Sequence, residues 1–128
     1  MYALVVDDSR AMRMILRRNL QHLGFTVCEA RDGIEALAVL EGLGQVPEVA
    51  LVDWNMPGMD GLDFIKAVHS NPHWSTMTVI VASSEGAHAR IVEALTAGAH
   101  EYLVKPFEQQ AVIDKLTQHG LPRHEVPV

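Results

Sequence analysis

One stretch of this 128-residue chain decides its fold: Val49-Ala50-Leu51-Val52-Asp53-Trp54-Asn55-Met56-Pro57-Gly58-Met59-Asp60-Gly61. Its first four residues are all apolar, which is typical of a strand covered on both faces of a parallel sheet. The cluster from Asn55 to Gly58 predicts a turn. Asp60 is a good N-cap for a helix that follows. A buried strand, a turn and a helix form the repeating unit of an α/β fold.

The same alternation continues on both sides of that unit. Further strands are predicted at residues 3–6, 25–29, 78–82 and 101–104. Helices are predicted after Ser9, from Gly33, before Gly98 and over residues 108–118. The residues expected to face the core from the first four helices are Met12, Ile15, Leu16, Leu20 and Leu23, then Ile34, Leu37, Ala38 and Leu40, then Leu62, Phe64, Ile65 and Val68, then Ile91, Ala94 and Leu95.

Five strands, each followed by a helix, predict a doubly wound parallel sheet with right-handed crossovers. Ligands of such sheets bind outside the carboxyl ends of the strands, where the strand order reverses. The residues directly after strands one, three, four and five are Asp7-Asp8, Asp53, Ser83-Ser84 and Lys105. The polar and charged groups are therefore expected on one edge of the sheet.

That edge holds the groups needed for phosphoryl transfer. Three converging carboxylates repel one another unless a cation lies among them, and hard oxygen ligands favour Mg²⁺. A carboxylate can itself attack phosphorus and form an aspartyl phosphate, whose charge then needs a metal, a cationic side chain and a hydroxyl. We expect Asp8 and Asp53 to bind Mg²⁺, with Lys105 as the cation and Ser83 as the hydroxyl. A cis bond at Lys105-Pro106 would turn the lysine back across the strand ends.

Composition limits the function classes. With a net charge of −6, the chain lacks the basic surface that sequence-independent nucleic-acid binding usually needs. Cys28 is the only cysteine, which excludes an intrachain disulfide and favours a reducing compartment. No apolar run is long enough for a membrane span, and the first strand begins too early for a signal peptide. We therefore expect a cytoplasmic protein with one domain at residues 1–119 and a flexible tail at 120–128.

The motif set resembles the receiver domains of response regulators, and most closely the single-domain members that act in chemotaxis. The resemblance covers residues 3–118 and implies a strand order of 2-1-3-4-5 with five helices, as in flavodoxin-like folds. The matching residues are Asp7-Asp8, the stretch from Asp53 to Gly61, Ser83, Tyr102 and Lys105-Pro106-Phe107.

The resemblance also implies a role for each matching residue. Asp53 becomes the phosphoacceptor. Mg²⁺ would be bound by Asp8, Asp53 and the backbone carbonyl of Asn55, while Asp7 would reach the ion through water. Ser83 would hydrogen-bond the phosphoryl group, and Lys105 would pair with it. Tyr102 matches the aromatic switch residue that turns inward when the hydroxyl residue moves, although a half-buried tyrosine on an edge strand is also common.

Two more positions tune phosphoryl lifetime in that family, and here they are Asn55 and Glu85. This pair is typical of the fast-decaying members. The implied partners are a sensor histidine kinase and a protein target that binds the surface formed by the fourth helix, fifth strand and fifth helix, residues 86–118. The protein would be a monomer or weak dimer that catalyses only its own phosphorylation and dephosphorylation. A stand-alone regulator and a receiver excised from a longer regulator both remain open.

Other readings fit the residues less well. A haloacid-dehalogenase-type phosphatase would need its nucleophile after the first strand in an Asp-x-Asp arrangement, whereas this chain has Asp7-Asp8-Ser9. A flavin carrier would need a Gly-rich phosphate loop there. The basic side of the first helix, formed by Arg10, Arg13, Arg17 and Arg18, is expected to be a solvated face, with a partner contact as the minority reading.

Overall fold

In the computed structural model, which describes residues 1–54, 56, 58–84 and 88–122, five parallel strands alternate with five helices. The strands are β1 (Tyr2–Val6), β2 (Thr26–Ala30), β3 (Val49–Asp53), β4 (Thr78–Ser83) and β5 (Glu101–Val104). The helices are α1 (Arg10–His22), α2 (Gly33–Gly42), α3 (Gly61–His69), α4 (His88–Ala97) and α5 (Gln109–Gln118), with a short 3₁₀ turn at Pro72–Trp74.

The sheet has the order β2-β1-β3-β4-β5, and every pair of neighbouring strands is parallel. The predicted fold is therefore confirmed. The register aligns the carboxyl ends of the central strands, because Val6 lies beside Val52 and Val52 lies beside Val81. Strand order reverses between β1 and β3, and the carboxyl ends of both strands open on the same edge.

The core lies on both faces of the sheet, as the apolar strands predicted. On β3, Ala50 and Val52 pack against α2, α3 and α4, whereas Val49 and Leu51 pack against α1 and α5. Burying each leucine-sized side chain contributes about 1.5–3 kcal/mol relative to leaving it exposed. The covering helices fix the strands, and with them the edge at which the polar residues emerge.

The predicted helix starts at Ser9 and Asp60 are confirmed. The Ser9 hydroxyl accepts a hydrogen bond from the Met12 amide at 3.2 Å, and an Asp60 carboxylate oxygen accepts one from the Asp63 amide at 2.9 Å. Each bond satisfies one amide that the first helical turn leaves without a partner.

Four residues that we expected in the core are exposed: Ile15 by 50%, Ile34 by 62%, Leu95 by 43%, and the smaller Ala38. The prediction was wrong for them because successive residues of a helix lie about 100° apart. The buried stripe of α1 runs through Leu16 and Leu20, so the adjacent Ile15 turns away from the sheet.

The packed chain continues past the predicted domain end. Leu121 is buried, and its amide donates to the Leu116 carbonyl at 2.8 Å. Residues 123–128 lie outside the described residues, so the flexible tail stays a prediction there. Within the described ranges, no helix combines the length and apolar character of a membrane span. Partial burial raises the pKa of the Cys28 thiol, against an opposing effect of Arg17, which fits a packing role.

Candidate functional site

Three carboxylates meet at the carboxyl edge of the sheet. Asp7 and Asp8 follow β1, and Asp53 ends β3. One oxygen from each lies within 4.8 Å of the others. In the described part of the chain, these three aspartates are the residues placed closely enough to hold a metal ion together. Asp7 and Asp53 are buried, whereas Asp8 is exposed. The sheet topology thus brings together residues that are far apart in the sequence.

Lys105 supplies a cation to this acidic cluster. Its Nζ lies 2.9 Å from Asp7 Oδ2 and 3.6 Å from Asp53 Oδ1. The Lys105 amide also donates to the Ser83 carbonyl at 2.7 Å, which ties the end of β5 to the end of β4. The Lys105-Pro106 bond, whose isomer the sequence left open, is cis. The ammonium group offsets part of the repulsion between two buried carboxylates.

Both carboxylate oxygens of Asp7 already have partners. Oδ1 accepts from the Ser9 amide at 2.9 Å, and Oδ2 pairs with Lys105. The backbone of Asp7 is held too, because its amide donates to the Ala30 carbonyl at 3.1 Å. Asp7 is therefore fixed in place, while the exposed Asp8 is the more open of the two acids.

The backbone at Gly61 approaches the end of β3 closely. A Cβ atom at Gly61 would lie 2.6 Å from the Asp53 carbonyl oxygen and 2.9 Å from the Trp54 Cα. The Gly61 amide instead donates to the Trp54 carbonyl at 3.0 Å. Only glycine allows the start of α3 to lie this close to the end of β3, and the contact fixes the backbone that carries Asp53.

Ser83 and Tyr102 lie on one face of the sheet. Ser83 is fully buried at the end of β4, and Tyr102 is buried on β5. Val81 pairs with Tyr102 and Ser83 pairs with Val104, so Tyr102 sits one pair behind Ser83 on the same face.

The structure brings Asp7, Asp8, Asp53 and Lys105 together, and it places Ser83 on the neighbouring strand end. Asn55 and Glu85, which we predicted to bind metal or tune phosphoryl lifetime, lie outside the described residues.

One contact at the site was missed in the sequence. Arg13, which we expected on a solvated helix face, donates from its NH1 to the Asp7 carbonyl at 2.7 Å. The spacing along α1 does not distinguish Arg13 from the other three arginines of that helix. Only the position of α1 against β1 and β2 singles it out.

The donor set fits a hard divalent cation. Three carboxylates at the carboxyl edge of the sheet offer oxygen ligands alone, which suit Mg²⁺ or Ca²⁺ better than the softer transition metals. The exposed Asp8 leaves one side of the cluster open to water and to a further ligand. A metal at this position would also share in neutralising the charge that Lys105 offsets.

Comparison with known proteins gives a single family. The model of the response regulator receiver domain matches residues 3–117. The chain is 42% identical over 117 residues to the chemotaxis protein CheY1 of Helicobacter pylori, covering 91% of this chain and 94% of that protein. It is 42% identical over 117 residues to a CheY homolog of Campylobacter jejuni, covering 91% and 89%.

Solved structures agree on the fold. The chemotaxis response regulator CheY4 of Vibrio cholerae is 32% identical, has a TM-score of 0.84 and matches 91% of this chain and 96% of its own. A chain of the CheX–CheY complex of Borrelia burgdorferi with BeF₃ and magnesium has a TM-score of 0.87 at 24% identity, covering 94% and 90%. This second likeness concerns the fold alone.

Proposed function

The chain belongs to the response regulator receiver domain family, and from that premise we propose that it is a chemotaxis-type regulator switched by phosphorylation of Asp53. Proteins of this family are phospho-accepting switches of two-component signalling and not conventional enzymes. The observation that carries the residue assignment is the ion-pair geometry at the sheet edge. Asp53 lies buried at the end of the central strand, with a lysine ammonium 3.6 Å from one of its oxygens.

Asp53 is the best-placed nucleophile of the three acids. Both oxygens of Asp7 are held, by the Ser9 amide and by Lys105. Asp8 is exposed, whereas a nucleophile gains from an enclosed site in which charges interact more strongly. In the proposed step an Asp53 oxygen forms a bond to phosphorus while the P–N bond of a phosphohistidine donor breaks. The imidazole nitrogen leaves with the electron pair and takes up a proton.

Asp8, Asp53 and the Asn55 carbonyl would hold Mg²⁺, with Asp7 acting through a water. The bound ion would supply positive charge that neutralises the phosphoryl oxygens. The support is the oxygen-only donor set within 4.8 Å. Lys105 would turn from its carboxylate partners to the phosphoryl group, and the Ser83 hydroxyl would donate to it. Both groups already lie on strand ends next to Asp53.

Phosphorylation would then favour one of two pre-existing conformations. We propose that Ser83 moves toward the phosphoryl group and that Tyr102 occupies the space beside it. Their shared sheet face supports this. The altered surface would comprise α4, β5 and α5 and would bind a downstream protein target. Asn55 and Glu85 are proposed to keep the phosphorylated state short-lived.

The phosphoryl donor is proposed to be a sensor histidine kinase, and the protein to act in the cytoplasm as a stand-alone monomer or weak dimer that catalyses only its own phosphorylation and dephosphorylation. The support is the family itself, together with coverage of 94% and 89% of two chemotaxis relatives.

A direct test uses beryllofluoride, which mimics an aspartyl phosphate without a covalent P–O bond. Wild-type protein in Mg²⁺ should change its tryptophan fluorescence on addition of beryllofluoride, because buried Trp54 adjoins Asp53. Asp53→Asn should not respond. Asp63→Asn, on the exposed side of α3, is the matched control and should respond like wild type. The absence of a Mg²⁺-dependent response in wild type would contradict the proposed function. A response in Asp53→Asn would contradict the assignment of Asp53 as the phosphoacceptor.

A further inference from the structure

Arg13 forms a bridge between the acidic site and the sheet. Its NH1 donates to the backbone carbonyl of Asp7 at 2.7 Å, and its Nε lies 3.4 Å from Glu29 Oε1 on β2. The Arg13 side chain is only 13% exposed. The second oxygen of Glu29 pairs with Arg17, one turn further along α1. Glu29 therefore holds the guanidinium plane in the orientation that reaches Asp7.

The carbonyl that Arg13 holds belongs to the peptide joining Asp7 to Asp8. That peptide is planar, so fixing its oxygen fixes the direction in which the chain enters Asp8. Among the described residues, none donates a hydrogen bond to the Asp8 carboxylate or forms an ion pair with it within 4.0 Å. The position of the Asp8 carboxylate thus depends on its backbone, and the backbone is held on this side by Arg13.

We propose that Arg13 is a positioning residue for the metal-binding acids: it holds the Asp7–Asp8 peptide so that the Asp8 carboxylate faces Asp53. The inference rests on the proposed function, since it assumes that this acid cluster binds Mg²⁺. Partners one shell outside the ligands commonly orient them in this way. Arg is suited to this role because its planar guanidinium can donate hydrogen bonds to two acceptors in fixed directions. The compact ammonium group of Lys does this less well.

A positioning role and a purely electrostatic role for Arg13 predict opposite changes in Mg²⁺ affinity when Arg13 is replaced. A guanidinium beside an acidic cluster repels an incoming divalent cation, so removing only its charge would strengthen Mg²⁺ binding. Loss of positioning would weaken binding, because Asp8 would no longer be held toward the other ligands. The direction of the change in Mg²⁺ affinity therefore separates the two roles.

The test is a calorimetric titration of the full chain with MgCl₂ alone. Arg13→Met keeps the aliphatic stem and removes the charge and donors, and Arg13→Lys keeps the charge. The Kd for Mg²⁺ should rise roughly tenfold in Arg13→Met and by a smaller factor in Arg13→Lys. Arg17→Met is the matched control, because Arg17 also pairs with Glu29 but is not bonded to the Asp7 carbonyl. Its Kd should stay unchanged or fall.

Unchanged or tighter Mg²⁺ binding in both Arg13 variants would overturn the inference and leave the proposed function standing. Equal weakening in Arg17→Met would overturn it as well, because the effect would then belong to Glu29 and not to the Asp7 carbonyl. Absence of Mg²⁺ binding in wild type would remove both the inference and the proposed function. Should Arg13→Met fail to fold, Arg13→Lys, which preserves charge and stem, decides the question alone.

Discussion

At the scale of single residues, Lys105 explains how three acids can share one edge of the sheet. Its ammonium lies 2.9 Å from Asp7 and 3.6 Å from Asp53, and both carboxylates are buried. Buried charges of one sign are costly without a counter-ion. Lys105 is thus the cation of the site before any metal or phosphoryl group binds.

Replacing Lys105 with Met should lower the free energy of unfolding by about 1–3 kcal/mol without Mg²⁺, because Asp7 and Asp53 lose their common partner. Saturating Mg²⁺ should recover much of that loss by placing a cation among the same acids. Urea unfolding in EDTA and in Mg²⁺ measures both values. Lys115→Met, which breaks an ion pair with Glu101 far from the site, should show no such recovery. If Lys105→Met lowered the free energy of unfolding equally in EDTA and in Mg²⁺, Lys105 would not be acting as the counter-ion of the acid cluster.

Most residues of the site could be predicted from sequence because of one geometric rule. Parallel strands end on the same edge, so a residue directly after a buried apolar run must lie there. Asp7, Asp53 and Lys105 follow such runs, and the structure brings them together. Arg13 could not be predicted in this way, since its contact depends on how α1 lies against β1 and β2.

At the scale of elements, the start of α3 lies against the end of β3, next to the proposed phosphoacceptor. Gly61 should not tolerate a side chain, because a Cβ atom there meets backbone atoms at 2.6 Å and 2.9 Å. Backbone cannot move aside as a flexible side chain can. We expect Gly61→Ala to destabilise the protein by about 1–3 kcal/mol or more and to weaken the beryllofluoride response.

Gly42→Ala is the matched control, since no atom lies within 4 Å of a Cβ at the end of α2. This variant should be neutral or more stable by up to about 1 kcal/mol, because alanine loses less backbone freedom than glycine. Thermal unfolding of both variants measures the difference. Similar behaviour of the two would mean that the close approach at Gly61 is not needed.

The contact between the start of β5 and the end of α5 gives a pH-dependent prediction. Burial alone would raise the pKa of Glu101, but hydrogen bonds from the Tyr102 amide, Lys115 and His119 outweigh it and hold that pKa below its usual value. A carboxylate with a lowered folded pKa stabilises the fold above its unfolded pKa, and this contribution is lost as pH falls through the folded pKa.

Glu101→Gln should therefore cost about 0.5–1 kcal/mol of stability at pH 7, and the difference from wild type should shrink as the pH falls below about 4.3, the ordinary glutamate pKa, and vanish once Glu101 is protonated in the folded protein. Urea unfolding across this range measures it. Glu93→Gln, which removes an exposed ion pair with Arg90, should change the free energy of unfolding by no more than about 0.5 kcal/mol at any pH. A Glu101→Gln deficit that persisted in acid would point to lost packing and not to the carboxylate charge.

Helix faces were harder to predict than strands. A strand that alternates between two buried faces can be apolar throughout, as in β3. An amphipathic helix buries only a stripe, and where apolar residues adjoin, sequence alone does not say which one faces the sheet. On α2 the buried residues are Gly33, Ala36 and Leu40, which leaves Ile34 exposed.

At the scale of the whole molecule, a metal ion bound at the carboxyl edge of the sheet would raise the stability of the entire fold. A ligand that binds only the folded state stabilises it by mass action, by about 2.7 kcal/mol at a concentration 100-fold above Kd. We expect Mg²⁺ to raise the thermal midpoint of wild type accordingly. Asp8→Asn should show a higher midpoint than wild type without Mg²⁺, because one repelling charge is gone, and little further rise with it.

Differential scanning fluorimetry over a series of Mg²⁺ concentrations measures these midpoints. Asp32→Asn, at the cap of α2 and outside the acid cluster, serves as the control and should respond to Mg²⁺ like wild type. A full Mg²⁺ response in Asp8→Asn would mean that the ion stabilises the fold from another position.

The most direct test of the central claim is to locate the phosphoryl group. After exposure to acetyl phosphate and Mg²⁺, borohydride reduces an aspartyl phosphate to homoserine, a mark that survives digestion. Tryptic cleavage following Arg10, Arg31 and Lys66 then places Asp53 and the Asp7-Asp8 pair in different peptides. Mass spectrometry should find one homoserine, at position 53, and none in Asp53→Asn or in EDTA. Homoserine in the Asp7-Asp8 peptide, or homoserine that still forms in Asp53→Asn, would contradict the assignment of Asp53 as the phosphoacceptor.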